Sequence, residues 1–285
     1  MRASPVTAGW RRTVTVGGRP AGYLEVGQGR PLVLLHGAGG RGAVWARQLE
    51  ALGDVARVVA VDLPGHGATG GRGCTDVAAY ATWLQAFLDA AGLGRVVLGG
   101  HSMGGAIAQT VALADPDRLD GLVLVGTGAR LRVLPRILEL FRAGMVEGRT
   151  FVAGLSYSPA TPAGAVVEAE QALLETPLAV TFGDFLACER FDLMAEVHRL
   201  RVPSLVVGGR DDRLTPPKYA AYLAREITGA RLVEIDAAGH FPQLEQPASV
   251  NAALRAFLRA LSTPDGFGIV TPTTDSRPRH GDVSR

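Results

Sequence analysis

The fold turns on the stretch Arg95-Val96-Val97-Leu98-Gly99-Gly100-His101-Ser102-Met103-Gly104-Gly105-Ala106-Ile107-Ala108. Its first part is a short apolar run that reads as a buried strand, and from Ala106 to Ala114 the pattern is that of a helix. Between them Gly100 and Gly104 flank Ser102 in a G-x-S-x-G turn. Such a turn forces the serine into a strained, exposed backbone position, and small neighbours let strand and helix approach without a clash. The hydroxyl then points out of the sheet toward a bound molecule.

Outward from this turn, three more loops follow apolar strands. Leu32-Val33-Leu34-Leu35 runs into His36-Gly37-Ala38-Gly39-Gly40, whose backbone N–H groups can face the same site. Ser204-Leu205-Val206-Val207 precedes Gly208-Gly209-Arg210-Asp211-Asp212-Arg213-Leu214-Thr215-Pro216, and Arg231-Leu232-Val233-Glu234-Ile235 precedes Gly239-His240-Phe241. All four loops occupy strand C-terminal ends, where open α/β sheets bind ligands. Serine, acid and histidine follow one another in the order expected when a nucleophile elbow recruits an acid and a base from later strands. Asp211 and Asp212 adjoin, and adjacent loop residues point different ways, so only one of them serves. The glycines of residues 37 to 40 lack the Lys-Ser/Thr end of a phosphate-binding loop.

Alternation at Thr13-Val14-Thr15-Val16 and Tyr23-Leu24-Glu25-Val26, with Gly17-Gly18 between, predicts an antiparallel hairpin at one sheet edge. Later runs, at residues 32 to 35, 57 to 61, 96 to 98, 122 to 125, 205 to 207 and 232 to 235, are continuously apolar, as parallel strands covered on both faces require. Helical patterns over residues 76–91, 104–114, 217–228 and 247–261 alternate with them, predicting a doubly wound α/β sheet. One segment breaks the alternation. From residue 131 to 200 no strand-like run recurs, while Leu131, Leu134, Leu138, Phe141 and Met145 recur at helical spacing. These side chains fit two roles, packing within a helix or lining an acyl pocket.

A chain of 285 residues suits one large α/β domain with an insertion. A net charge of +2, carried by scattered arginines and a single lysine, Lys218, argues against nucleic acid or a membrane surface as partner. Cys74 and Cys188 are too far apart for a metal or redox pair and read as free thiols. The first residues contain no sustained apolar core, so neither a secretory signal nor a membrane span is expected and the location expected is cytoplasmic. Residues 263–285, rich in Pro, Thr, Ser, Gly and charge, are expected to form a flexible tail.

The chain resembles the α/β-hydrolase superfamily, in its serine esterase and lactonase branch with a helical lid. The resemblance covers roughly residues 12 to 262. It is carried by His36-Gly37-Ala38-Gly39, Asp62-Leu63-Pro64-Gly65-His66-Gly67, Gly100-His101-Ser102-Met103-Gly104-Gly105, Asp212 before Pro216, and Gly239-His240. It implies a doubly wound, mostly parallel eight-stranded sheet, with residues 1–128 and 201–262 as the core and 129–200 as the lid. It also implies Ser102 as nucleophile, His240 as base, and Asp212, four residues before the proline, as acid. The other family position for the acid, after the sixth strand, holds Gly126-Thr127-Gly128. The backbone amides of Ala38 and Met103 match the two donors of an oxyanion hole. Leu131, Leu134, Leu138 and Phe141 become candidate substrate contacts.

The activity implied is hydrolysis of short to medium chain or aryl carboxylic esters through an acyl-enzyme, with no metal or cofactor and a small-molecule ester as partner. Enol-lactone, carbon–carbon bond and perhydrolase chemistry use the same triad. Phe241 and His101 depart from the tryptophan and asparagine usual in carbon–carbon bond hydrolases. A serine at 102 departs from the carboxylate nucleophile of dehalogenases and epoxide hydrolases. A non-catalytic ligand receptor on this fold is a reading of another class, and one that does not require all three residues to be kept.

Overall fold

A computed structural model of the chain describes residues 9–161, 163, 166, 167 and 175–263. The tail expected over residues 263–285 therefore lies, beyond Thr263, outside the described residues.

Eight strands form one sheet: β1 (Arg11–Val16), β2 (Arg19–Val26), β3 (Pro31–Leu35), β4 (Arg57–Val61), β5 (Val96–His101), β6 (Leu119–Val125), β7 (Ser204–Gly209) and β8 (Arg231–Ile235). Their spatial order is β1-β2-β4-β3-β5-β6-β7-β8. The first two strands form the expected edge hairpin, with Gly17 and Gly18 both at positive φ in the two-residue turn. β2 runs antiparallel to β4, and every later pairing is parallel.

The continuously apolar strands are buried on both faces, as their composition requires. On β3, Val33 and Leu35 face one core, with Tyr80, Leu84 and Phe87 of α2 (Val77–Ala90) and Ile107 and Val111 of α3 (Met103–Ala114). Leu32 and Leu34 face the other, with Leu49 and Leu52 of α1 (Ala46–Leu52) and Leu254 and Phe257 of the last described helix (Pro247–Ala260). Each large side chain so buried contributes about 1.5–3 kcal/mol. Asp76, whose carboxylate accepts the Ala78 N–H at 2.7 Å, caps α2.

Between β6 and β7 the chain leaves the sheet for helices α4 (Pro135–Arg142), α5 (Glu147–Ser156) and α6 (Leu178–Arg190), with no strand among the described residues of that segment. The expectation of a helix carrying Leu131 and Leu134 is corrected here. α4 starts only at Pro135, because the proline ring disfavours helical geometry at the residue before it, and Leu134 is extended at φ −61°, ψ 131°. Leu131 N–H donates to Phe191 O, and Leu193 N–H to Ala129 O, so the two ends of the insertion are tied together where it leaves the sheet. Beyond β7 come α7 (Pro217–Glu226), the short α8 (Pro242–Glu245) and α9 (Pro247–Ala260).

β5 enters α3 across a very close contact. A Cβ on Gly100 would sit 2.1 Å from the Gly104 carbonyl, and one on Gly104 would sit 2.6 Å from Leu35 O. Both are backbone contacts that no rotamer change relieves. Gly100→Ala is therefore expected to cost about 1–3 kcal/mol of overpacking strain, read as a lower urea midpoint than wild type at an unchanged slope. An unchanged midpoint would mean that strand and helix have room to separate.

Candidate active site

Ser102 occupies the junction of β5 and α3 at φ 53°, ψ −117°. Only one other non-glycine among the described residues, Ala237, has positive φ. Such a conformation costs about 1–3 kcal/mol and persists only where its surroundings over-determine it. They do so here: Ser102 N–H donates to Val125 O at 3.0 Å, while Ser102 O accepts from the Thr127 hydroxyl at 2.8 Å and from the amides of Gly105 and Ala106. The Ser102 side chain lines a cavity of about 310 Å³.

His240 lines the same cavity from the loop after β8. Its Nδ1–H donates to Asp212 Oδ2 at 2.9 Å, and both side chains are almost wholly buried. Its Nε2 makes no hydrogen bond among the described residues, so its lone pair is available on the cavity side. Asp212 is saturated: Oδ1 accepts the amides of Leu214 and Thr215, each at 2.8 Å, and Oδ2 accepts the Thr215 hydroxyl at 2.7 Å as well as His240. Burial alone raises this carboxyl, but the charge and hydrogen bond of His240, with the Thr215 bonds, outweigh it and hold Asp212 below its ordinary value. Asp211 instead faces solvent and accepts the Ser158 hydroxyl at 2.6 Å. The structure thus separates the two aspartates that the sequence left adjacent.

Ala38 lines the cavity from the loop after β3, and Met103 is the first residue of α3, where helical amides lack internal partners. Neither amide donates a hydrogen bond among the described residues. His101 also lines the cavity, and its Nε2–H donates to His240 O at 2.7 Å. Burial, and then the charge of nearby His240, push His101 down to about 3, so its ring is neutral and acts as a brace for the histidine loop.

Of the four expected substrate contacts, Leu131 and Leu134 line the cavity, Leu134 being 46% exposed. Leu138 and Phe141 do not. Because α4 begins late, its inward face brings Ile137 to the cavity and buries Phe141 against Phe185, ring centroids 5.2 Å apart. Among the described residues no group of three or more His, Cys, Asp or Glu side chains could hold a metal ion. Cys74 and Cys188 are both free.

Residues 32–253 match the family model described as the alpha/beta hydrolase family. The chain belongs to this family. It is 32% identical over 262 residues to the dihydrolipoyllysine-residue acetyltransferase component of the acetoin cleaving system of Pseudomonas putida, covering 86% of this chain and 68% of that protein. It is 31% identical over 266 residues to the 2-hydroxy-6-oxononadienedioate/2-hydroxy-6-oxononatrienedioate hydrolase of Burkholderia vietnamiensis, covering 83% and 90% of the two chains. Among solved structures, a thermophilic esterase from Thermogutta terrifontis with malate bound superposes with a TM-score of 0.79 at 30% identity, covering 89% of this chain and 99% of that one. These three differ in chemistry at nearly equal identity, so the family likeness makes this chain an alpha/beta hydrolase without ranking its substrates.

Two buried carboxylates in this alpha/beta hydrolase went unread in the sequence. Glu245, on α8, accepts the amides of Gly239, Phe241 and Ser158 at 2.9–3.0 Å, and so holds the N–H of the residue on either side of His240. Asp184, on α6 and fully buried, accepts His66 Nε2–H at 2.8 Å, the Tyr80 hydroxyl at 2.6 Å and Gly39 N–H at 2.8 Å. No local signal could reveal the second, since its partners lie 104 to 145 positions away.

His66 has acceptors at both nitrogens, Pro64 O at 3.0 Å and Asp184. Burial lowers its affinity for the proton, yet the Asp184 charge and hydrogen bond reverse that and raise it above 6.5. His36, whose Nδ1–H donates to Gly37 O and whose Nε2 accepts Leu63 N–H, is driven well below 6.5 by burial and then by neighbouring His66.

A histidine raised on folding contributes stability that is full below its unfolded value of about 6.5 and is lost as pH rises through the higher folded value. His66→Gln is therefore expected to cost about 3–5 kcal/mol at low pH, where it strands a buried charge. Comparing Tm for wild type and variant from about pH 5 to about pH 9 should show the gap narrowing as pH rises. A gap independent of pH would remove the charged pair from the account.

Proposed function

We propose that this alpha/beta hydrolase is a serine carboxylic-ester hydrolase acting on short to medium chain or aryl esters. The observation that carries this reading is the strained Ser102, facing a cavity shared with a histidine whose far nitrogen is held by a buried, ionised aspartate. A serine hydroxyl is a weak nucleophile until a base takes its proton. His240 Nε2 is the base with a free lone pair at that cavity, and Asp212 fixes the tautomer and stabilises the imidazolium that forms. Ser102 Oγ adds to the ester carbonyl as its proton passes to His240, and the tetrahedral oxyanion is received by the amides of Ala38 and Met103. Collapse expels the alcohol, which takes the proton from His240. A water deprotonated by the same imidazole then cleaves the acyl-enzyme and releases the acid.

In this reading residues 1–128 and 201–262 are the catalytic core and 129–200 the lid over the substrate. Leu131, Leu134 and Ile137 supply an apolar wall for the acyl chain. No described helix is long and apolar enough to cross a membrane.

Ser102→Ala is expected to lose ester hydrolysis by several orders of magnitude with Tm unchanged, and fluorophosphonate labelling of wild type should map to Ser102. In wild type, each added methylene gains about 0.8 kcal/mol while it is buried. kcat/KM over p-nitrophenyl esters from acetyl to palmitoyl should therefore rise and then fall once the chain outgrows the cavity. A maximum at palmitoyl would argue for a lipase. Turnover of enol-lactones or vinylogous diketones with no ester cleaved would move the assignment to those reactions.

The aspartate assignment has its own test. Asp212→Asn reverses the hydrogen-bond polarity toward His240 and should lower kcat by about 10⁴-fold, whereas Asp211→Asn, on the solvent side, should lower it less than tenfold. The opposite ranking would transfer the acid's role to Asp211.

A further inference from the structure

The loop that carries Ala38 is fastened by the inserted segment rather than by the sheet. Gly39, at φ 67°, has its N–H on Asp184 Oδ2 at 2.8 Å and its C=O on the Thr176 hydroxyl at 2.9 Å. Arg41, two residues on, pairs with Glu175. Gly40 N–H donates to Gly37 O at 3.1 Å, closing the loop into a turn with Ala38 inside it. The two peptide planes that follow the Ala38 amide are thus both held by the inserted segment, one by a carboxylate that is itself fully buried. A hydrogen bond to an ionised acceptor is about twice as strong as a neutral one.

We infer that Thr176 and Asp184 are positioning residues for the reaction: through the Gly39 peptide they aim the Ala38 N–H at the point where the oxyanion forms. This rests on the ester-hydrolase reading and extends it. An oxyanion donor contributes to the rate only if it is oriented before charge develops, and a misplacement of about 1 Å costs up to about 10²-fold. Neither residue touches substrate in this role. A consequence concerns access. The stretch from Thr176 to Asp184 cannot lift off the core without releasing the Gly39 peptide, so the enzyme turns over with that stretch seated, and a lipid interface brings no activation.

The test compares Thr176→Val, which keeps the shape but removes the hydroxyl, with Thr176→Ser, which keeps the hydroxyl. The readouts are kcat and KM for p-nitrophenyl butyrate, the Kd of butylboronic acid as a tetrahedral adduct on Ser102, and Tm. Thr176→Val should lower kcat about tenfold or more with KM within about twofold, weaken the boronate by a similar factor, and be rescued by Thr176→Ser. Asp184→Asn should show the same split in larger measure, and if it does not fold, the Thr176 pair still decides.

Wild-type kcat and boronate affinity retained in Thr176→Val would overturn the positioning role. So would a loss equal in Val and Ser variants, or one that follows Tm alone. A wild-type protein that neither cleaves the ester nor binds the boronate would overturn the oxyanion reading and the positioning role with it, a result distinct from failure of the variants alone.

Discussion

The site depends on one constraint, the close passage of β5 into α3. Ser102 holds a backbone geometry that costs energy, and it holds it because Gly100 and Gly104 meet with no room for a side chain and because Val125 and Thr127 tie its peptide groups to the neighbouring strand. The same tight turn brings α3 to begin at Met103, so an amide without a helical partner arises beside the serine as a by-product of the geometry. Strain, exposure of the hydroxyl and a free N–H donor are therefore one structural event. Relaxing any of them relaxes the others.

Around that fixed point the remaining groups are delivered by loops, and loops need restraint. The His240 loop is restrained by Glu245 from below and by His101 from the side. The loop after β3 is restrained by Asp184 and Thr176 from the inserted segment. Both main restraints are carboxylates buried with their acceptor sites filled, which is the condition under which an ionised group in the interior rigidifies its surroundings instead of destabilising them. The insertion thus takes part in the architecture of the site.

Much of this was legible in the sequence, for identifiable reasons. The strands could be read because parallel strands buried on both faces are continuously apolar, and the hairpin because Gly17-Gly18 satisfies a turn needing positive φ twice. Ser102, Asp212 and His240 stood out because each follows such a strand within a recognisable loop. The helix start was not legible because the spacing carries the pattern back through Leu134, where the following proline disfavours helical geometry. α1 was not read, being only seven residues long. Asp184 and Glu245 were out of reach: their roles come from partners brought together by tertiary packing, and an isolated acidic residue in a helix carries the pattern of a surface position.

Comparison of the two histidine–carboxylate pairs shows why geometry decides where residue type does not. His240–Asp212 and His66–Asp184 have nearly the same separations, 2.9 and 2.8 Å, and both are buried. In the second pair the other nitrogen is committed to Pro64 O, so each ring N–H has an acceptor and the Asp184 charge raises the ring's affinity for its second proton. In the first, the other nitrogen has no partner among the described residues and the ring lines the cavity, so that nitrogen is open to a bound molecule. The two pairs therefore differ in one respect, a carbonyl oxygen within hydrogen-bond reach of the second nitrogen of His66 and none among the described residues at that of His240, so only the His240 ring is left open toward the cavity.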